Sequence, residues 1–151
     1  MKPTETGGTP QVAVVTDSTA DLPAAVTERL RINVIPNIIV INGQSLRDGI
    51  DLSRESFYQA LPAMQTLPTT GTASSGAYEQ LYEQLLSTGF RHVLSIHASG
   101  LLSGILNAAS AAAAAFQGRV QVLDSQHISL GLGFQVMAAA EAAQAGLSID
   151  E

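Results

Sequence analysis

The chain has 151 residues, 46% of them hydrophobic, which suits one globular domain with a real core. Its formal net charge is −6, and Lys2 and six scattered arginines form no basic stripe, so nucleic acid is not an expected partner. The absence of cysteine excludes disulfides, thiolate catalysis and Cys-based zinc sites together.

Metal ligation could use only His92, His97, His127 and carboxylates, and no histidine pair has the i, i+4 spacing of a helical site, so no metal is expected. No apolar run approaches the roughly 20 residues of a membrane helix. The N-terminus has no charged region leading into an apolar one. The expectation is a soluble, cytoplasmic protein that does not span a membrane.

Met1 to Pro10, rich in Thr, Gly and Pro, reads as a flexible leader over residues 1–10, with the folded domain over 11–151. Val12-Ala13-Val14-Val15 is a short β-branched run that suits a strand buried on both faces. It stops at Thr16-Asp17-Ser18-Thr19, and Asp21 and Pro23 announce a helix, with Asp21 as its N-cap. A strand feeding a helix through a short polar turn is half of a β-α-β unit. Ligands of parallel sheets gather outside the carboxyl ends of strands, which places Asp17, Ser18 and Thr19 at the expected site.

A helix over 24–30 follows, then a second strand over 33–41 with an edge or a bend at Pro36, which cannot donate a ladder hydrogen bond. Asn42-Gly43 marks a tight turn. Residues 46–52, containing Asp48-Gly49-Ile50-Asp51, read as a loop that lacks the spacing of a calcium site. Ser53 is the N-cap of a helix to Leu61. Residues 67–76 form a polar loop opening onto a helix whose apolar stripe is Tyr78, Leu81, Tyr82 and Leu85. Gly89 stops that helix. His92–His97 is the third strand, Ser99-Gly100 leads into an alanine-rich helix, and 119–123 is the fourth strand. Asp124-Ser125 then precedes a last helix over 129–145. Ser148-x-x-Glu151 is a capping box, an expected sign of further structure beyond it.

These elements predict a three-layer α/β domain: a mainly parallel sheet of about four strands with helices on both faces. Its strand tips, Thr16-Asp17-Ser18, Ser99-Gly100 and Asp124-Ser125, then share one edge with the Thr69-Thr70-Gly71-Thr72 loop. Hydroxyls and free N–H groups at helix starts make a neutral site for a carboxylate or phosphate. Alternatively, each of these residues caps its own helix. A serine hydrolase could be assembled from Ser99 or Ser18 with His97 or His127 and Asp17 or Asp124, but no G-x-S-x-G elbow exists. His97 and His127 are more often structural, and Gly131-Leu132-Gly133 lacks the third glycine of a dinucleotide fingerprint.

Five motifs occur in order: T-D-S-T-A-D-L-P (Thr16 to Pro23), D-G-I-D (Asp48 to Asp51), P-T-T (Pro68 to Thr70), L-S-G (Leu102 to Gly104) and L-D-S (Leu123 to Ser125). In these the chain resembles the amino-terminal domain of the DegV family, bacterial fatty-acid-binding proteins. The resemblance implies a two-domain, non-catalytic carrier that holds a long-chain fatty acid between its domains and needs no cofactor. Some members present the carboxylate to an ATP-dependent fatty acid kinase, which makes the acyl phosphate. The second, carboxy-terminal domain is expected to be missing from this chain, and with it a histidine of the head-group site.

The carboxylate ligands it implies are Thr69 or Thr70 and Ser99, with Ser103, Ser18, Asp17 and Ser125 around them. Gly71, Thr72 and Ala73 stand where S-Q-P is usual, one extra leucine precedes Ser103, and Ile105 replaces a threonine or serine. A buried methylene contributes about 0.8 kcal/mol, so the tail would supply most of the affinity. Ile38, Ile39, Ile105, Leu106, Leu130 and Phe134 are candidate walls. A self-associating fragment exposing an apolar face is a further alternative.

Overall fold

The computed structural model describes residues 11–151; the expected leader lies outside them. Strands β1 (Val12–Asp17), β2 (Asn33–Ile35), β6 (His92–His97) and β7 (Val120–Asp124) form a four-stranded sheet in the order β2-β1-β6-β7, every pairing parallel. All six residues of β1 are buried, as its unbroken apolar start requires of a central strand. From β1 the chain winds outward to β2, then returns to the other side of β1 as β6 and continues to β7. The winding direction therefore reverses between β1 and β6, and that boundary is the topological switch point.

Parallel pairing sets Val14 beside Leu94 and Val15 beside Ser95, so alternate residues share a face. Helices α3 (Ser75–Ser87) and α4 (Ile105–Ala113) pack together on the Ser95 and His97 face. Helices α1 (Ala24–Leu30) and α5 (Leu130–Gln144) pack together on the opposite one. Tyr78, Tyr82 and Leu85 of α3 are buried, as the spacing of its stripe predicts. The expected three layers form.

Four local readings differ. The segment 33–41 is two strands: at Pro36 the chain leaves the first sheet, and β3 (Ile38–Ile41) joins another. Its neighbours are β4 (Gln44–Arg47), which takes in Leu46 and Arg47 of one expected loop, and β5 (Thr69–Gly71), which lies within the other, in an antiparallel sheet of order β4-β3-β5. Asp21 does not cap α1. It lies at φ 54° and closes the 3-10 turn Ser18–Ala20, while Pro23 takes the N-cap position with no side-chain bond. Ser53 does cap α2 (Arg54–Ala60), accepting from Ser56 N. No helix of the described residues is long and apolar enough to cross a membrane.

Candidate functional site

Asp17, at the carboxyl end of β1, is fully buried and accepts five hydrogen bonds. Oδ1 takes those of Thr19 N (3.0 Å), Thr19 Oγ1 (2.5 Å) and Asn37 Nδ2 (3.3 Å). Oδ2 takes those of His97 Nδ1 (2.9 Å) and Ala98 N (3.2 Å). One carboxylate thus ties together the turn after β1, the crossing from β2 to β3 and the turn after β6. Burial alone raises its pKa, but the hydrogen bonds from His97 and Thr19 outweigh that and hold it below the ordinary 3.8.

The bonds continue inward. His97 Nδ1 donates to the acceptor-only carboxylate, its Nε2 lies 2.7 Å from Ser95 Oγ, and Ser95 Oγ accepts from Tyr82 Oη (2.8 Å). Burial pushes the Tyr82 phenol up to about 12. Asp17, His97 and Ser95 stand in the order of a catalytic triad, yet all three are buried. Neither hydrolase serine meets a histidine ring: Ser18 Oγ accepts from Asn37 N (3.1 Å) and Ser99 Oγ from Leu101 N (3.3 Å). His127 turns Nδ1 toward Ser125 O (2.7 Å). No group of three or more metal-ligating side chains occurs among the described residues.

The strand tips are stitched to one another. Ser99 N and Ser125 Oγ both donate to His127 O, at 3.0 Å each, and Gly100 N donates to Asp124 Oδ2 (3.2 Å). Ser129 N donates to Thr19 O (2.9 Å), which joins the loop before α5 to the turn after β1. Ser99 and Ser125 are buried in these contacts. Gly133 is needed for the same clamp, because a Cβ there would lie 2.7 Å from Ala20 O.

Thr70 and Ser103 come together on a cavity of about 390 Å³, with Thr19, Asn37 and Thr72. Thr70 pairs with Ile39 and Thr69 with Val40, so Thr70 shares the cavity face of Ile39 while Thr69 faces away. Ser103, Gly104 and Ile105 bring the start of α4 to the same wall, where Gly104 at the N-cap offers no side-chain acceptor. Ser103 Oγ, one residue earlier, accepts from Ile105 N (3.3 Å) and so meets part of the first turn's need for acceptors. Among the described residues, Asp48 is the one ionisable side chain that lines this cavity.

A second cavity of about 330 Å³ shares Thr19, Ile39 and Asp48 with the first and adds Phe57, Tyr58 and Ile128. Among the expected wall residues, Ile38, Ile39 and Ile105 line the first cavity. Leu130 and Phe134 are exposed elsewhere. Ser18 lines the second cavity. Asn37 and Arg54 carry no local signal of their place here: Asn37 lies inside an apolar strand run, and the partners of Arg54 lie up to 36 positions away in the chain.

Sheet, switch point and cavity define the class: a doubly wound α/β domain with a hydroxyl-lined chamber at its strand tips. The chain belongs to the DegV family, whose model, described as "Uncharacterised protein, DegV family", matches residues 11–151. A DegV domain-containing protein of Deinococcus radiodurans is 39% identical over 140 residues, which is 93% of this chain and 50% of that protein. One from Listeria monocytogenes is 38% identical over 142 residues, with the same shares.

Among solved structures, a Thermus thermophilus DegV family protein described by its fatty acid binding superposes with a TM-score of 0.86 at 36% identity. The match covers 93% of this chain and 50% of that one. Bacillus subtilis DegV, described as a fatty acid binding protein, gives 0.84 at 34%, covering 94% and 51%. The chain spans about half the length of the relatives it matches.

Proposed function

We propose that this domain is the head-group half of a non-catalytic carrier for a long-chain fatty acid, working in the cytoplasm without a cofactor. The carrying observation is the cavity where Thr70, Thr72, Ser103 and the start of α4 meet Ile38, Ile39 and Ile105. Hydroxyls and helix-start amides suit a carboxylate, and the apolar walls suit the tail. Thr70 and Ser103 contact the head. Asp17, Ser18, Ser99 and Ser125 shape the rim through the bonds described above. No lysine or arginine lines that cavity among the described residues, so the compensating cation comes from the second domain of the complete carrier. The tail runs along Ile39, Phe57, Tyr58 and Ile128.

An acid held by its carboxylate at an exposed rim, beside Leu101 and Leu102, stays within reach of an ATP-dependent fatty acid kinase. Mass spectrometry of lipid extracted from the protein expressed from its natural reading frame tests the carrier reading, with Thr70→Val as comparison. A long-chain acid in the extract, at least tenfold depleted by the substitution, is expected. An extract free of lipid, from protein that also ignores added oleate, overturns it.

A further inference from the structure

A third cavity, of about 440 Å³, adjoins the second and is walled by Ala20, Leu22, Val34, Pro36 and Ile50 among others. Four residues line both: Ser18, Asp21, Asp48 and Arg54. They are Arg54 and the three groups it holds. Its guanidinium bonds Asp21 Oδ1 through Nη1, and Ser18 O through Nη2 at 2.8 Å, with Asp48 Oδ2 3.9 Å away. The guanidinium from α2 thus stands as a polar bar between two chambers that are otherwise largely apolar.

We propose that the Arg54–Asp21 bar sets the length of acyl chain the protein accepts, by closing the second cavity to the third. This assignment rests on the fatty-acid reading above. A tail entering past the threonine rim fills the second cavity and stops at the guanidinium. Growing further would push the arginine aside and strand the Asp21 and Asp48 carboxylates against methylenes, a costly arrangement. With the bar removed, the tail's end enters the third cavity, and each further methylene gains contact.

The test compares palmitate, arachidate and behenate by competition on the protein from its natural reading frame, for the native sequence, Arg54→Met and Asp21→Asn. Methionine keeps the apolar stem of Arg54, whose side chain is 49% exposed. Asparagine tolerates the left-handed backbone at position 21. In both variants the preference for arachidate over palmitate should rise about tenfold, the equivalent of two newly buried methylenes. A native protein that binds none of the acids removes the carrier reading itself. Variants that bind all three acids with the native length profile remove the bar and leave the carrier standing. Failure of both variants to fold also overturns the assignment, because the pair would then hold the fold rather than limit the tail.

Discussion

Replacing Asp17 by alanine should be the most damaging single change near the site. The carboxylate answers five donors from three loops. Truncation strands His97 Nδ1 and Ala98 N in the interior, and each buried donor left unmet costs about 1–3 kcal/mol. Thr19 and Asn37 sit nearer the cavity and recover part of their bonding from water. The sum is about 3–5 kcal/mol, the range for removing one partner of a buried charged contact, out of the 5–15 kcal/mol typical of a domain. Asp17→Asn should lose nearly as much, because its NH₂ group must face either the His97 or the Thr19 donors. Urea unfolding of both variants, completed to a double-mutant cycle with His97→Ala, reads this directly, with a coupling of at least about 1.5 kcal/mol expected. An Asp17→Asn protein within about 1 kcal/mol of the native one, with an unchanged denaturant slope, would refute the hub.

Acid stability carries the same signature. The folded Asp17 carboxyl lies below the ordinary 3.8, so its contribution is complete above that value and drains away as pH falls through the lower folded one. Urea midpoints followed downward from pH 5 should fall more steeply for the native protein than for Asp17→Asn, and parallel curves would contradict it. Gly133→Ala should cost about 1–3 kcal/mol in thermal or urea unfolding, since its Cβ meets the Ala20 carbonyl; a neutral result would mean that α5 slides freely over the turn. In an ultraviolet phenolate titration Tyr82 should ionise near pH 12. Tyr82→Phe should remove that step and destabilise by about 1 kcal/mol through its lost bond to Ser95.

The doubly wound sheet was legible because β1, β6 and β7 are apolar runs separated by helical stripes, and that pattern has one architecture. β4 and β5 were not, for a physical reason. Gln44-Ser45-Leu46-Arg47 and Thr69-Thr70-Gly71 are short and largely exposed, and only pairing with Ile38–Ile41 makes them strands. Pro36 announced an edge or a bend, while the change of sheet depends on the partners its flanks find. Asp21 matched an N-cap by type, but the 3-10 turn before it claims its backbone. At the site, the serine and threonine tips could be read directly. What divides them into cavity-facing Thr70 and Ser103 and tucked-in Ser99 and Ser125 is pairing register and loop stitching. The link from Asp17 to His97 spans 80 positions, beyond any local pattern.

The departure of the chain at Pro36 makes residues 38–72 an excursion between β2 and α3 that adds nothing to the parallel sheet. That excursion carries Ile38, Ile39, Arg54, Phe57, Tyr58 and Thr70, while the parallel frame is built on β1, β6 and their turns. The cavity walls are therefore drawn from two sources: one continuous length of chain, moored to the frame where Arg54 bonds Asp21 and Ser18, and the frame's own turn at Ser103, Gly104 and Ile105.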